Sequence, residues 1–242
     1  MTMLAIRTSA EIPLPVTRWL EVAWPDGLDE IESILMAGPV RVRRRLWLRG
    51  QGTIRLQAGE AYAADVRVGF GPLTTVRGLE AFVDGRGLAT LGGSSATGPD
   101  VDLGGFLALW TLSILFPTCW SRLPGMRWTA VSETEAQVGL PYGDGSVTVT
   151  LRFDPDSSSF PIAFEAERAR VSGGPPIGWR VELGEWHWRK GLALPTRLQV
   201  TWASEPGPSV DLRIETVVPN APVRDDIRTA ADAVEGRGAS TR

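Results

Sequence analysis

Few residues in this chain have the chemistry to act. A single His (His187) and a single Cys (Cys119) exclude a disulfide framework, a zinc site built on four cysteines or on paired cysteines and histidines, and any site needing two imidazoles. His187 stands between Trp186 and Trp188; on a strand it points away from both indoles, alongside Glu185 and Arg189. A general base needs an orienting partner and a nucleophile, and the sequence offers no triad, so His187 reads as a surface histidine. Cys119 follows Pro117 beside Trp120 without an adjacent charge to depress its pKa, and reads as a small buried thiol. Asp154, Asp156 and Glu165 only faintly copy a calcium loop, because Ser159 takes the glycine position and Pro161 intrudes. A hairpin turn accounts for them better. Glu133 with Glu135 and Glu165 with Glu167 fall two apart on strands, with nothing to mark either pair as an acid of raised pKa. Gly69-x-Gly71 and Gly92-Gly93-Ser94-Ser95 fit neither a dinucleotide nor a phosphate loop. The expectation is no catalytic residue, no metal and no cofactor, and a protein more readily read as a binder than as an enzyme.

Two residue types are unusual in number or clustering. Arg41, Arg43, Arg44, Arg45 and Arg49, with Trp47 among them, have the composition that single-strand nucleic-acid binders use. Against that, 25 basic and 28 acidic residues give a net charge of −3, which supplies no overall positive field, and no RNA motif is present. A solvated outer sheet face is expected, with no nucleic acid partner; an acidic protein or lipid headgroup is the lesser alternative. Ten Trp residues bring large apolar area with one donor each, suited first to core packing and second to lining an apolar cavity.

The elements that must hold these residues follow from patterning. With 242 residues, 43% apolar and 22% charged, the chain can bury a sizeable core, and its 27 Gly and 18 Pro suit many short elements. Arg7, Glu11, Pro13 and Pro15 interrupt the first twenty residues, so no secretory signal is read and the cytoplasm is the default. Residues 103–121 carry no charge, but Gly104 and Gly105 open the stretch and Pro117 breaks it. The helix left, 106–116, is about 16 Å long against a hydrocarbon core of about 30 Å. A buried helix is expected, not a transmembrane span. Phe106, Leu109, Trp110 and Ile114 are among the apolar residues on nearly every side of it, and only a strongly curved sheet wrapped around it could cover them all.

Around that helix the sequence predicts short N-terminal helices over 13–24 and 28–36, the second closing at Gly38-Pro39. A period of two then marks a strand over 40–49, which Ile54 and Leu56 continue after Gly50-Gln51-Gly52, and a meander through Phe70. Asp84-Gly85 supplies the positive-φ pair of a tight hairpin, and residues 92–102 read as loop. The second half restarts the meander at Trp128, clearest over 146–153, where Val147, Val149, Leu151 and Phe153 alternate with polar residues. About ten strands are expected. Residues 223–242 have few apolar anchors and read as a flexible tail.

Laid in order, these pieces resemble a family of uncharacterised bacterial proteins. The resemblance rests on Leu14-Pro15-Val16, the Arg-rich strand over 40–49, residues 80–87 around Asp84-Gly85, Phe116-Pro117-Thr118 and Gly125-Met126-Arg127-Trp128, and covers roughly 13–218. Such proteins are similar to the lipoprotein-carrier (Lol-type) folds, which implies an antiparallel sheet curled into an unclosed barrel with helices on its concave side. Where relatives open the central helix with Gly-Glu and carry further charges, this chain has Gly104-Gly105, Ala108, Leu112 and Ser113, which implies an apolar lumen. The fold expected is therefore mainly β (α+β): one half-barrel domain over 1–222, wrapped around a central apolar helix. The function expected is binding of a hydrophobic or lipid-like molecule, with Phe106, Leu109, Trp110, Ile114 and Trp128 as the ligand-binding residues. The alternative is a protein-interaction module whose lumen is filled by its own helix.

Overall fold

The computed structural model describes residues 12–23, 31–70, 73–156, 159–189 and 191–239. The strands among them form one antiparallel sheet of fourteen. Its first arm is a meander of β1 (Ser33–Arg43), β2 (Trp47–Gln57), β3 (Ala61–Phe70), β4 (Leu73–Val83), β5 (Arg86–Leu91) and β6 (Ser94–Ala96). Its second arm is another, of β7 (Arg127–Ser132), β8 (Glu135–Tyr142), β9 (Gly145–Phe153), β10 (Pro161–Ala169), β11 (Pro176–Arg189) and β12 (Leu192–Trp202). β13 (Val210–Arg213) lies between β12 and β1 and joins the arms, and β14 (Thr216–Pro219) pairs further along β1. The path ends at β6 on one side and β7 on the other, and these edges do not pair. The barrel is unclosed.

Between the arms the chain runs through α2 (Pro99–Leu112), a 3-10 turn (Ser113–Leu115) and α3 (Pro117–Arg122). Helix α2 packs on β4 and β5 of the first arm and also on β10 of the second. Those strands are far apart in the sheet order, so one helix touches both only because the sheet curls around it. The inner face follows from the period of two: Val149, Leu151 and Phe153 of β9 point inward with Phe164 of β10, and all are buried. They meet Leu107, Leu109 and Trp110 of α2 in one core. Each such side chain contributes about 1.5–3 kcal/mol on burial. Helix α1 (Leu14–Ala23) adds Val16 and Trp19 to that core, against α3 and β8.

Several expectations are corrected. The helix over 28–36 gives way to β1 from Ser33 onward, where burial alternates; 28–30 lie outside the described residues. Gly38 and Pro39 sit inside the strand, where β1 changes partner from β14 to β13, a gap that tolerates a residue without an N–H. The single strand over 40–49 is two, because the chain reverses through Arg44, Arg45 and Leu46. Gly50-Gln51-Gly52 lies within β2: a Cβ on Gly50 would stand 1.8 Å from the Arg67 carbonyl oxygen, so the glycine serves close backbone approach.

Helix α2 begins at Pro99, within the expected loop, and takes Gly104 and Gly105 into its interior. Within the expected flexible tail, residues 224–239 form α4 (Arg224–Ala239) on the outer face of the first arm, and 240–242 lie outside the described residues. Its Ile227, Ala231 and Val234 repeat at i, i+4 and i+7 and bury against Ala63, Ala81 and Leu88. Ala63 and Ala81 face each other across β3 and β4, small enough to let the helix lie close. The Asp84-Gly85 hairpin forms as predicted, with φ of 51° and 78°.

Candidate functional site

The structure brings the predicted ligand-binding residues together. Phe106 sits 4.8 Å from Tyr142 and 6.3 Å from Trp110 between ring centres, Trp110 meets Trp120 edge-on at 5.1 Å, and Trp120 reaches Trp128 at 6.0 Å. This aromatic chain crosses the concavity, with Tyr142 and Trp128 half-buried at its ends and Phe106 half-buried beside Tyr142. Leu109, Trp110 and Ile114 are at most 3% exposed. The helix and its aromatic neighbours occupy the lumen themselves.

Helix α2 is tied to the sheet at one end. The Gly87 N–H donates to Asp102 Oδ1 at 2.7 Å, the Gly173 N–H to Asp100 Oδ2 at 2.8 Å, and Arg168 Nη1 to the Gly104 carbonyl at 3.0 Å. The glycines make this close seat possible. A Cβ on Gly104 would lie 2.2 Å from the Arg168 guanidinium, and one on Gly87 would lie 2.1 Å from the Val101 carbonyl oxygen. From Gly105 to Leu115, among the described residues, the polar bonds stay within the helical segment, as with the Thr111 hydroxyl donating to the Leu107 carbonyl. The rest of its hold on the sheet is apolar.

A polar cluster missed by the sequence reading stands beside those ties. Arg168 shares the inward phase of Phe164 and Ala166 on β10, and Glu80 shares that of Phe82 on β4. The Arg168 guanidinium lies 5.1 Å from the Trp179 ring centre and 5.7 Å from that of Trp202, with Glu80 at 3.8 Å. Its Nε and the Tyr62 hydroxyl are buried without a hydrogen-bond partner among the described residues. Burial, reinforced by the charge of Glu80, pushes the Tyr62 phenol well above its usual range, although its oxygen stops short of a bond to that carboxylate. A charged residue in phase with buried neighbours was the available signal.

The other sequence candidates fall elsewhere. His187 is exposed on β11, opposite Leu194. Cys119 is partly buried on α3, beneath Gly59. Asp154 caps its own turn through the Asp156 N–H at 2.9 Å. Glu135 and Glu165 belong to an ionic ladder on the outer face: Arg152 reaches Glu135 at 2.5 Å and Glu165 at 3.0 Å, while Arg180 bonds Glu165 and, at 3.1 Å, Glu182. Of the arginine strip, Arg41 pairs with Asp211 and Arg43 with Glu205 at 3.3 Å, both beside the Trp47 ring. No three His, Cys, Asp or Glu side chains gather into a possible metal site among the described residues.

An open half-barrel of antiparallel sheet, filled by a helical plug from its own chain, is the class these features define. Comparison gives the chain a family: it belongs to the family of unknown function DUF6544, whose model matches residues 4–212. Similar solved structures include a LolA superfamily protein from Nitrosomonas europaea, at 12% identity over 90% of this chain and 97% of that one, with a TM-score of 0.48. A putative outer membrane lipoprotein-sorting protein domain from Vibrio parahaemolyticus shares 9% identity over 90% and 96%, with a TM-score of 0.49. A DUF1329 family protein from Desulfovibrio piger shares 10% over 89% and 96%, with a TM-score of 0.47. Comparison with curated proteins gives no match. No helix among the described residues is long and apolar enough to cross a membrane.

Proposed function

We propose that the protein is a non-catalytic half-barrel that takes a hydrophobic, acyl-chain-like molecule between its concave sheet and α2. The observation that carries this reading is the one-ended tethering of the helix, with polar ties to the sheet at Asp100, Asp102 and Gly104 and an apolar hold beyond them. A ligand lying along Phe106, Leu109, Trp110, Ile114 and Trp128 exchanges one apolar contact for another and orphans no hydrogen bond. The half-exposed rings of Phe106 and Trp128 are its points of entry. Uptake is then a displacement of the plug, and the ligand must favour the displaced state enough to hold it open.

Native mass spectrometry after mild purification, with titration of a fluorescent fatty acid, tests this. Adducts of acyl-chain mass and saturable uptake are expected, with uptake weakened several-fold in Trp128→Ala. Adduct-free protein that takes up no fatty acid overturns the proposal. The dense packing of Leu109, Trp110 and Ile114 favours a second reading in that event, an interaction module with a permanently self-filled lumen. Crosslinking in cell lysate separates the two, because a carrier working alone leaves no stable protein adduct.

A further inference from the structure

The outer face, remote from the lumen, carries an arrangement of charge that the fold itself does not balance. Arg41 and Arg49 stand directly opposite each other across β1 and β2, and Arg197 and Arg213 do so across β12 and β13. Like charges in such positions are destabilising. One nearly buried carboxylate answers them: Asp211, its side chain 2% exposed, accepts from Arg41 and takes a two-pronged bond from Arg197 at 3.0 and 3.1 Å. Glu185 reaches Arg213 at 3.4 Å and Arg197 only at 3.9 Å, on an exposed surface where such pairs contribute little. The Arg49 guanidinium has no ion pair or hydrogen bond among the described residues. Four guanidinium groups thus face Asp211 and Glu185 as direct partners, with Glu182 adding only charge at a distance to Arg197. Arg41, Arg49 and Arg213 line a groove of about 350 Å³ beside Asp211, and Arg41 is held in place by the Trp47 ring at 5.2 Å.

We infer that this groove is a binding site for a phosphate-type oxyanion, held between Arg49 and Arg213 with Arg41 at its side. Guanidinium forks match phosphate oxygens, and an anion there relieves the repulsion between the opposed arginines. Asp211 keeps Arg41 and Arg197 in position, so the site is preorganised. A free phosphate or phosphomonoester and the headgroup of an anionic lipid present the same chemistry.

Calorimetry with inorganic phosphate, at an ionic strength fixed with sodium chloride, and cosedimentation with phosphatidylglycerol–phosphatidylcholine vesicles test the inference and separate the sources. Saturable binding in either arm is expected, about tenfold weaker in Arg49→Gln or Arg213→Gln for the loss of one charge-assisted contact. Arg44→Gln and Arg45→Gln, in the turn outside the groove, should bind as the wild type does. If phosphate is the ligand, it also raises the melting temperature of the wild type but not of Arg49→Gln, a readout that needs no loss of fold. Absence of saturable binding in both arms, or full binding by Arg49→Gln and Arg213→Gln, overturns the site.

Discussion

At the scale of single residues, Asp211 shows how the outer face spends its few buried charges. Burial alone would raise its carboxyl, but hydrogen bonds and charge from Arg197 and Arg41 outweigh that and hold it below the usual range. The unfolded chain therefore binds this proton more readily than the folded one. The stability Asp211 contributes is complete above about pH 4, the unfolded value, and is lost as pH falls through the lowered folded value. Asp211→Asn should cost about 2 kcal/mol at pH 7, a figure kept modest because Arg41 and Arg197 are 45% and 29% exposed. In urea denaturation the gap between wild type and variant should narrow as pH drops from about 4 to about 2. A gap that stays constant would show that the carboxylate's charge is not what matters there.

At the scale of elements, α4 is a stabilising cover for the first arm rather than an appendage. Ile227 is 1% exposed in the small second core, so Ile227→Ala should destabilise by about 2–4 kcal/mol in urea denaturation. A cost under about 0.5 kcal/mol would mean the helix rests there without contributing. That helix was hard to read in advance, because its stripe of three apolar residues is diluted among Ala, Asp, Arg and Gly. Strands β8 and β9 were legible, since one wet face and one buried face impose alternation along them. The turn at Arg44–Leu46 was not, because two arginines and a leucine include none of the residues that usually mark a reversal. Pro39 misled for the opposite reason: a usual breaker occupies a gap between two partner strands. Within the site, the apolar helix announced its own burial. The inward Arg168 and Glu80 were equally visible in phase, but a charge near a strand's end is ordinarily read as solvated.

At the scale of the whole molecule, Arg168 connects parts that the sheet keeps far apart. From β10 it reaches the Gly104 carbonyl of α2 and lies near Glu80 of β4, stacked against Trp179 and Trp202. Arg168→Gln removes a charge-assisted hydrogen bond and the cation–π contacts, and should destabilise by about 2 kcal/mol. Hydrogen exchange should report the loss in the first turns of α2 and in β4 and β5, with β8 and β9 unchanged. Uniform loss of protection would instead make Arg168 an ordinary part of a single cooperative core.

The placement of β13 and β14 beside β1 also decides the order of assembly. Each arm consists of consecutive hairpins that can zip up locally as they leave the ribosome, whereas β1 waits for residues 210–219 before its second edge is satisfied. Until then the nascent protein presents two bare strand borders, those of β1 and β12, beyond the edges of β6 and β7 that the finished sheet leaves open. A chain stopped at residue 209 should keep both meanders yet self-associate through these borders, visible as concentration-dependent oligomers in sedimentation.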